Sequence, residues 1–473
     1  MRLRLHESVA ARARLAGRER GQRSARNTRA AVVLVGVLAV VACSAASAGA
    51  RVVTDSLTHK KFGIVPTTNA HLRVGAACNA ENSDCTKLTY GGGPVQHAEK
   101  DYLLFWTPSG HSAPSAYRGA MSGWLSELAS STFWLFGNPV TVNQQYYDNS
   151  GPGGAHNFVP YAITNGGTLI DTAAYPASGC SDDGMPVCLT DAQLTTQLSS
   201  YLSSHPTLPK GLNTEYFIMT PNGVGSCFDS SSSSCAYTGY CGYHSSMGSG
   251  SSQVLYANMP WAFNVSGCDV NSAFGTGYPN ADGIDPVVGI FSHELSETMT
   301  DPVPGSGWTQ TGGTDAGYEI GDKCAYIYGT GGYGSMTGLS NNGLGYWNVS
   351  MGTDQYLMQM EFDNRLSTCA LKDTDVVPAA TVTVTPNPPH HGSSATFKAS
   401  ITDALGVQYV QWSFGDGTTG TTQGTSCTGT SPILCSINHT FAAAHGSPGI
   451  TSTATVTDKH GTESKASVTF TVS

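Results

Sequence analysis

The chain is 473 residues long, enough for two or three domains, and carries a formal net charge of −10. Charged residues make up only 12% and Gly alone numbers 56, a balance that suits a loop-rich, β-containing secreted protein better than a helical cytosolic one. The acidity argues against nucleic acid and anionic membrane surfaces as partners.

Residues 1–29 hold nine Arg against two Glu, followed by the apolar run Ala30 to Ala42 and the small residues Ser44 to Ala50. This predicts a signal peptide over residues 1–50, with cleavage after Ala48 or Ala50 and, lacking a twin Arg, export by the general secretory route. Val40-Val41-Ala42-Cys43 also has the form of a lipobox, which would make Cys43 a lipid-anchored first residue. The apolar part is short for a span, so no membrane span is expected after processing. Removing residues 1–50 takes the formal charge from −10 to −17 and leaves twelve cysteines, an even number suited to an oxidising compartment. Cys78/Cys85, Cys180/Cys188, Cys227/Cys235 and Cys427/Cys435 have the spacing of local staples, leaving Cys241, Cys268, Cys324 and Cys369 for longer bridges.

Residues 51–87 read as a polar lead-in to a domain over 88–375. Asp101 to Trp106 has the β-formers of a buried strand. Residues 115–130 read as a helix with Tyr117, Met121, Trp124, Leu125 and Leu128 on one face, and Pro139 to Tyr147 as a strand. Asp191 to Ser204 is a second helix, capped by Thr190 or Asp191. Glu215 to Thr220 and Gln253 to Met259 read as strands, separated by a Gly/Ser/Cys-rich stretch, 221–252, that reads as loop. The strand–helix–strand order predicts an α/β fold, a mixed sheet with helices, of which a zincin-like version is one form.

The stretch Asp285 to Asp301, DPVVGIFSHELSETMTD, follows. Asp285 suits an N-cap and Pro286 the first helical turn. Val288, Phe291, Leu295 and Met299 form an apolar stripe, while His293, Glu297 and Asp301 fall at i, i+4 and i+8 on the other face. An imidazole and a carboxylate one turn apart can grip a divalent cation from one side, and the adjacent Glu294 can polarise a bound water.

After Lys372 the texture changes to alternating Thr and Val and several short strands without a helix. Residues 378–473 are expected to form an all-β, Ig-like sandwich.

Within that segment, Trp412-Ser413-Phe414-Gly415-Asp416-Gly417 and Val456-Thr457-Asp458 resemble the PKD domain, whose WxFGDG turn is a structural device. In the central domain, Tyr90–Val95 (YGGGPV), Cys241-Gly242-Tyr243-His244, Asp282-Gly283-Ile284-Asp285, His293-Glu294-Leu295, Glu319-Ile320-Gly321-Asp322-Lys323-Cys324 and Tyr328–Gly332 together resemble the exordium, or phosphate-induced protein, family. That resemblance implies a secreted protein, tied in plants to cell-wall growth, and implies no agreed activity. The added PKD-like segment and Asp301, where plant members tend to have Asn, depart from the plant pattern.

His293–Glu294–Leu295–Ser296–Glu297 is similar to the zincin motif HExxH with Glu in place of the second His. Glu319 and Asp322 lie 22 and 25 residues beyond Glu297. Zincins of the thermolysin type draw a third ligand, a Glu, from a comparable distance. The expected zinc ligands are therefore His293, Glu297 and Glu319, with an open position for water, Glu294 as general base, and Asp322 and Asp301 behind them. His244 is a further candidate, as a hydrogen-bond donor to a tetrahedral intermediate. His97, His156, Asp148 and Asp171 have no partner spacing and are expected at the surface.

The function expected is a zinc-dependent metallopeptidase acting on a peptide. The alternatives are a non-enzymatic protein binding a cell-wall or extracellular polymer, and a glycoside hydrolase using two of Glu294, Glu297 and Glu319. Neither a GxSxG elbow nor a P-loop occurs, against serine-hydrolase and nucleotide-hydrolase classes of those types.

Overall fold

The computed structural model describes residues 51–71, 85–130, 138–151, 154, 156–182, 184–280, 283–313, 315–373, 378–403, 406–430, 432–459 and 463–473. The expected signal peptide, Cys43, Cys78, Asp282 and the boundary at Val377 lie outside them.

Seven strands form one mixed sheet: β1 (Val53–Thr54), β2 (Lys61–Pro66), β3 (Glu99–Trp106), β4 (Ile163–Asp171), β5 (Gly211–Met219), β6 (Tyr240–Met247) and β7 (Val254–Met259). Their spatial order is β1-β2-β6-β7-β5-β3-β4. β7, β5, β3 and β4 run parallel, whereas β6 is antiparallel to both β2 and β7. Three helices pack on the sheet: α1 (Ser115–Leu128), α2 (Asp191–Ser204) and α3 (Asp285–Thr300). Alternation along β3 and β5 sorts the packing, because successive side chains leave opposite faces. Leu103, Phe105, Phe217 and Met219 join a core with α1 and α3, while Tyr102, Leu104, Trp106, Tyr216 and Ile218 join a core with α2. Thr190 caps α2 in a box with Gln193.

Several expectations change. Lys61–Pro66, in the supposed lead-in, is a buried inner strand paired with β6. Pro139–Gln145 is a 3-10 helix, not a strand. Asn138 accepts from Val140 N–H at 3.0 Å and Pro139 fixes the first turn, which together override the β-branched residues. The stretch 221–252 contains β6, because Tyr240 and Tyr243 leave the glycine-rich context and pack on Phe228 and Phe62. Asp285 does not cap α3: Ile284 stands at the cap, and the Asp285 carboxylate accepts from Asn280 N–H and Nδ2. Both faces of α3 are covered, since every residue of the helix but Gly289 is buried.

Five disulfides close among the described residues: Cys180–Cys188, Cys227–Cys235, Cys241–Cys268, Cys324–Cys369 and Cys427–Cys435. The described residues include no helix long and apolar enough to cross a membrane.

The C-terminal residues form a three-stranded and a four-stranded antiparallel sheet around Phe397, Trp412, Phe414, Phe441 and Phe470. In the Gly-Asp-Gly turn, Asp416 accepts from Thr418 N–H and contacts His439 Nε2 at 2.8 Å. That local bonding is a structural use of the turn.

Candidate metal centre

Three parts of the chain converge below α3: the helix itself, β6, and the segment Glu319 to Asp322. His293 and Glu297 project together because they are one turn apart. Tyr326 N–H donates to Gln359 Oε1 and Gln359 Nε2 donates to Gly321 O, which fixes the amide. His293 Nδ1 lies 3.2 Å from that Oε1 and 3.0 Å from Gln359 Nε2, so the amide holds the ring through Nδ1 and turns Nε2 to the carboxylates. His293 Nε2 is 2.8 Å from Glu297 Oε1, without the alignment of a hydrogen bond, and 3.6 Å from Asp322 Oδ1.

β6 delivers His244 from the sheet. Its Nε2 lies 3.3 Å from Glu319 Oε2 and 3.5 Å from Glu297 Oε2. The neighbouring strand can let them meet only at Gly63, where a Cβ would stand 2.0 Å from His244 Nε2 and 2.4 Å from Glu319 Oε2. Gly321 clears space in the same way, since its Cβ would come within 2.7 Å of the His293 ring. Asp322 N–H donates to Glu297 Oε1 at 3.1 Å, and Asp322 Oδ2 accepts from Glu319 N–H at 2.8 Å. Cys324–Cys369 ties down the chain just beyond.

The ligand atoms of His293, Glu297 and Asp322 lie within 4.8 Å of one another, as do those of His244, Glu297 and Glu319. The expected trio was His293, Glu297 and Glu319. The observed trios instead place Asp322 beside His293, and Glu319 beside His244. Asp301, the α3 C-cap, lies behind the cluster as expected: it accepts from the N–H groups of Gly305, Ser306 and Gly307, and its carboxyl also meets that of Glu319. Glu294 Oε1 accepts from Val65 N–H at 3.2 Å, and its Oε2 has no donor.

Every one of His244, His293, Glu294, Glu297, Glu319 and Asp322 is fully buried, and His293 Nε2, Glu294 Oε2, Glu297 Oε2, Glu319 Oε1 and Asp322 Oδ1 lack hydrogen-bond partners. Burial without counter-charge drives the titrations. Burial, then the repulsion of Asp322, pushes Glu297 up to about 8. Burial, and then Glu297, hold Glu294 and Glu319 well above the carboxylate range. Burial lowers His244 to about 3, with His293 adding. Burial also opposes charge on His293, but Glu297 and Asp322 outweigh it and raise its pKa. Two ligands on one ion at ~2.1 Å stand ~3.0–3.4 Å apart for angles between 90° and 109°, close to the separations seen here. The donor set therefore fits a divalent cation.

Two contributors were missed. Gln359 orients His293, and Glu361, on the short strand Glu361–Asp363, is buried with both oxygens lacking donors. Burial raises the Glu361 carboxyl, and the charges of His293, Glu297 and Asp322 reach it. Polar residues at 359, 361 and 363 within an apolar run were the available signal. Asp148 and Asp171, expected at the surface, are buried: Asp148 contacts His97 Nε2 at 3.0 Å and Asp171 accepts from Gln197 Nε2 at 2.6 Å.

Residues 234–372, which carry His244, α3 and the 319–322 segment, match the phosphate-induced protein 1 conserved region. Protein EXORDIUM-like 3 of Arabidopsis thaliana is 36% identical over 94 residues, 19% of this chain and 28% of that protein. The chain thus spans little more than a quarter of that curated relative. Among solved structures, the PKD domain of an M14-like peptidase from Thermoplasmatales archaeon SCGC AB-540-F20 is 20% identical, covers 20% of this chain and 92% of its own, and gives a TM-score of 0.15. Wild-type OgpA from Akkermansia muciniphila is 10% identical over 80% of this chain and 95% of its own, with a TM-score of 0.23. At those scores neither likeness carries an argument.

Proposed function

We propose that the protein is a secreted metalloprotein of the hydrolase type, with a divalent cation such as zinc held by His293, Glu297 and a carboxylate from the 319–322 segment, and a peptide bond as its target. One observation carries this reading: five buried polar atoms without hydrogen-bond partners converge from helix α3 and the 319–322 segment, beside His244 of β6. Atoms left so in an apolar interior cost several kcal/mol unless a cation or proton satisfies them, on the order of 1–3 each. When bound, the cation supplies Lewis acidity and lowers the pKa of water. With the cation bound, Glu294 Oε2 would be the atom to accept a proton from water, while Val65 N–H holds its other oxygen. His244, already neutral, donates or ligates but does not carry charge.

The test is Glu294→Gln in the mature chain. The metal content and fold should survive, and cleavage of a broad peptide pool should fall by roughly 10²–10⁴-fold, the usual span for a lost general base. Wild-type protein that is metal-loaded and cleaves nothing sinks the peptidase half of the reading.

A second reading is favoured by the complete burial of the centre. Structural metal sites are closed and catalytic ones keep an open position. A closed cation would rivet α3, β6 and the 319–322 segment in a protein that binds an extracellular or cell-wall polymer. The Glu297/Glu319 pair suits a glycoside hydrolase less well, because its ligand atoms lie within 4.8 Å, below the ~5–5.5 Å of a retaining pair.

A further inference from the structure

Resting on that metal reading, we infer that the centre holds two divalent cations bridged by Glu297, not one. The two trios share only this residue, and they use different oxygens of it. Glu297 Oε1 faces His293 Nε2 at 2.8 Å, with Asp322 Oδ1 at 3.6 Å from the same nitrogen. Glu297 Oε2 faces His244 Nε2 at 3.5 Å, with Glu319 Oε2 at 3.3 Å from that nitrogen. Each oxygen therefore anchors an equivalent set of one imidazole, one carboxylate and one arm of the bridge. A carboxylate that bridges in this manner sets two ions ~3.5–4 Å apart, the spacing of two-metal hydrolytic sites.

Charge points the same way. Glu294, Glu297, Glu319 and Asp322, with Asp301 and Glu361 beside them, bring six carboxylates to full burial. The nearby Lys323 ammonium is turned to Gln310 and Asp315, away from this set. One divalent cation can offset two of these charges and two can offset four, so a second ion removes more of the buried excess. The unfilled atoms also fall on both sides: His293 Nε2 and Asp322 Oδ1 on one, Glu297 Oε2 and Glu319 Oε1 on the other.

The two positions are unequal. His293 has its ring fixed through Nδ1 by Gln359, as metal-bound histidines usually are, while His244 Nδ1 has no hydrogen-bond partner. A missing partner of this kind typically costs 10–100-fold in affinity, so the ion at His244 leaves first.

The experiment is the ion count of the full mature chain after equilibrium dialysis against Zn(II) alone, followed by stepwise chelation, and Mn(II) paramagnetic resonance on a parallel sample. Expected are two Zn(II) per chain released in two steps, an exchange-coupled Mn(II) pair, and one ion retained in each of His244→Ala and His293→Ala. His244→Gln serves if the alanine variant does not fold. Asp101→Asn is the control for the separate carboxylate cluster of Glu99, Asp101 and Glu215. One Zn(II) in the wild type, lost in His293→Ala, overturns the two-ion centre and leaves the metal reading standing. Two ions of which Asp101→Asn loses one also overturns it, by moving the second ion to that cluster. No bound Zn(II) or Mn(II) overturns both the inference and the reading beneath it.

Discussion

α3 serves two buried acid clusters through adjacent residues. Glu297 enters the metal centre, while Thr298 Oγ1 donates to Glu215 Oε1 at 2.9 Å, in a second group with Glu99 and Asp101. Both groups are buried and both contain at least three carboxylates. They differ in what accompanies the acids. The metal centre has two imidazoles, N–H donors from Val65 and Asp322, and glycines that clear its approach. Among the described residues, the second cluster is met by one hydroxyl, that of Thr298, and its ligand group contains no imidazole. Burial, with Asp101 adding, raises Glu99 and Glu215 far above the carboxylate range, and burial lifts Asp101 to about 7. Buried acids can be neutralised by cations or by protons, and accompanying nitrogen ligands mark which solution a site is built for.

The largest expected effect separates the clusters directly. His293→Ala, or a chelator on the wild type, should lower thermal stability sharply, because a ligand at 100 times its Kd contributes ~2.7 kcal/mol to folding. Asp101→Asn should leave metal content and the chelator response unchanged. Melting curves with and without chelator check both; a chelator-insensitive wild type would merge the two clusters into one proton-sharing type.

Next comes Gly63→Ala. The added Cβ would strike the His244 ring and Glu319, so overpacking should cost ~1–3 kcal/mol and reduce bound metal. No such carbon reaches the second cluster, and the Asp101-dependent pH response should persist. An alanine variant with full metal content would show that His244 and Glu319 are not held by this contact.

How much of this was legible in the residues differs by element. The α3 helix was legible because its apolar stripe and its His293/Glu297 spacing are both local, and so were α1 and α2. Ion-ligand pairing across the chain was not, because whether Glu319 or Asp322 faces His293 depends on a turn at Gly321 and on a strand, β6, that delivers His244. β6 was hidden because a strand buried on both faces lacks alternation and sits in a Gly/Ser-rich context. β2 was hidden because six residues after a polar segment give little periodicity. The acid cluster around Asp101 was invisible, since Glu99, Asp101 and Glu215 meet only when β3 and β5 pair in register, Asp101 against Glu215.

The smallest effect concerns that cluster and its protons. Asp101 is fully buried, and burial raises its carboxyl from 3.8 to about 7, against a hydrogen bond from Glu99 that lowers it. A raised acid binds its proton more tightly in the folded state than in the unfolded chain. Its contribution to stability is therefore full below about pH 4 and is lost as the pH rises towards 7. One such proton changes the unfolding free energy by at most ~1.4 kcal/mol per pH unit. Asp101→Asn keeps the shape, cannot ionise, and should flatten the decline between pH 4 and 7 by up to that slope, with Glu99 and Glu215 supplying what remains. Urea midpoints at several pH values, measured in the presence of chelator so that the metal centre cannot contribute its own pH dependence, decide it. Parallel wild-type and variant profiles would mean that Asp101 holds no extra proton, and that the second cluster is neutralised by something other than protons.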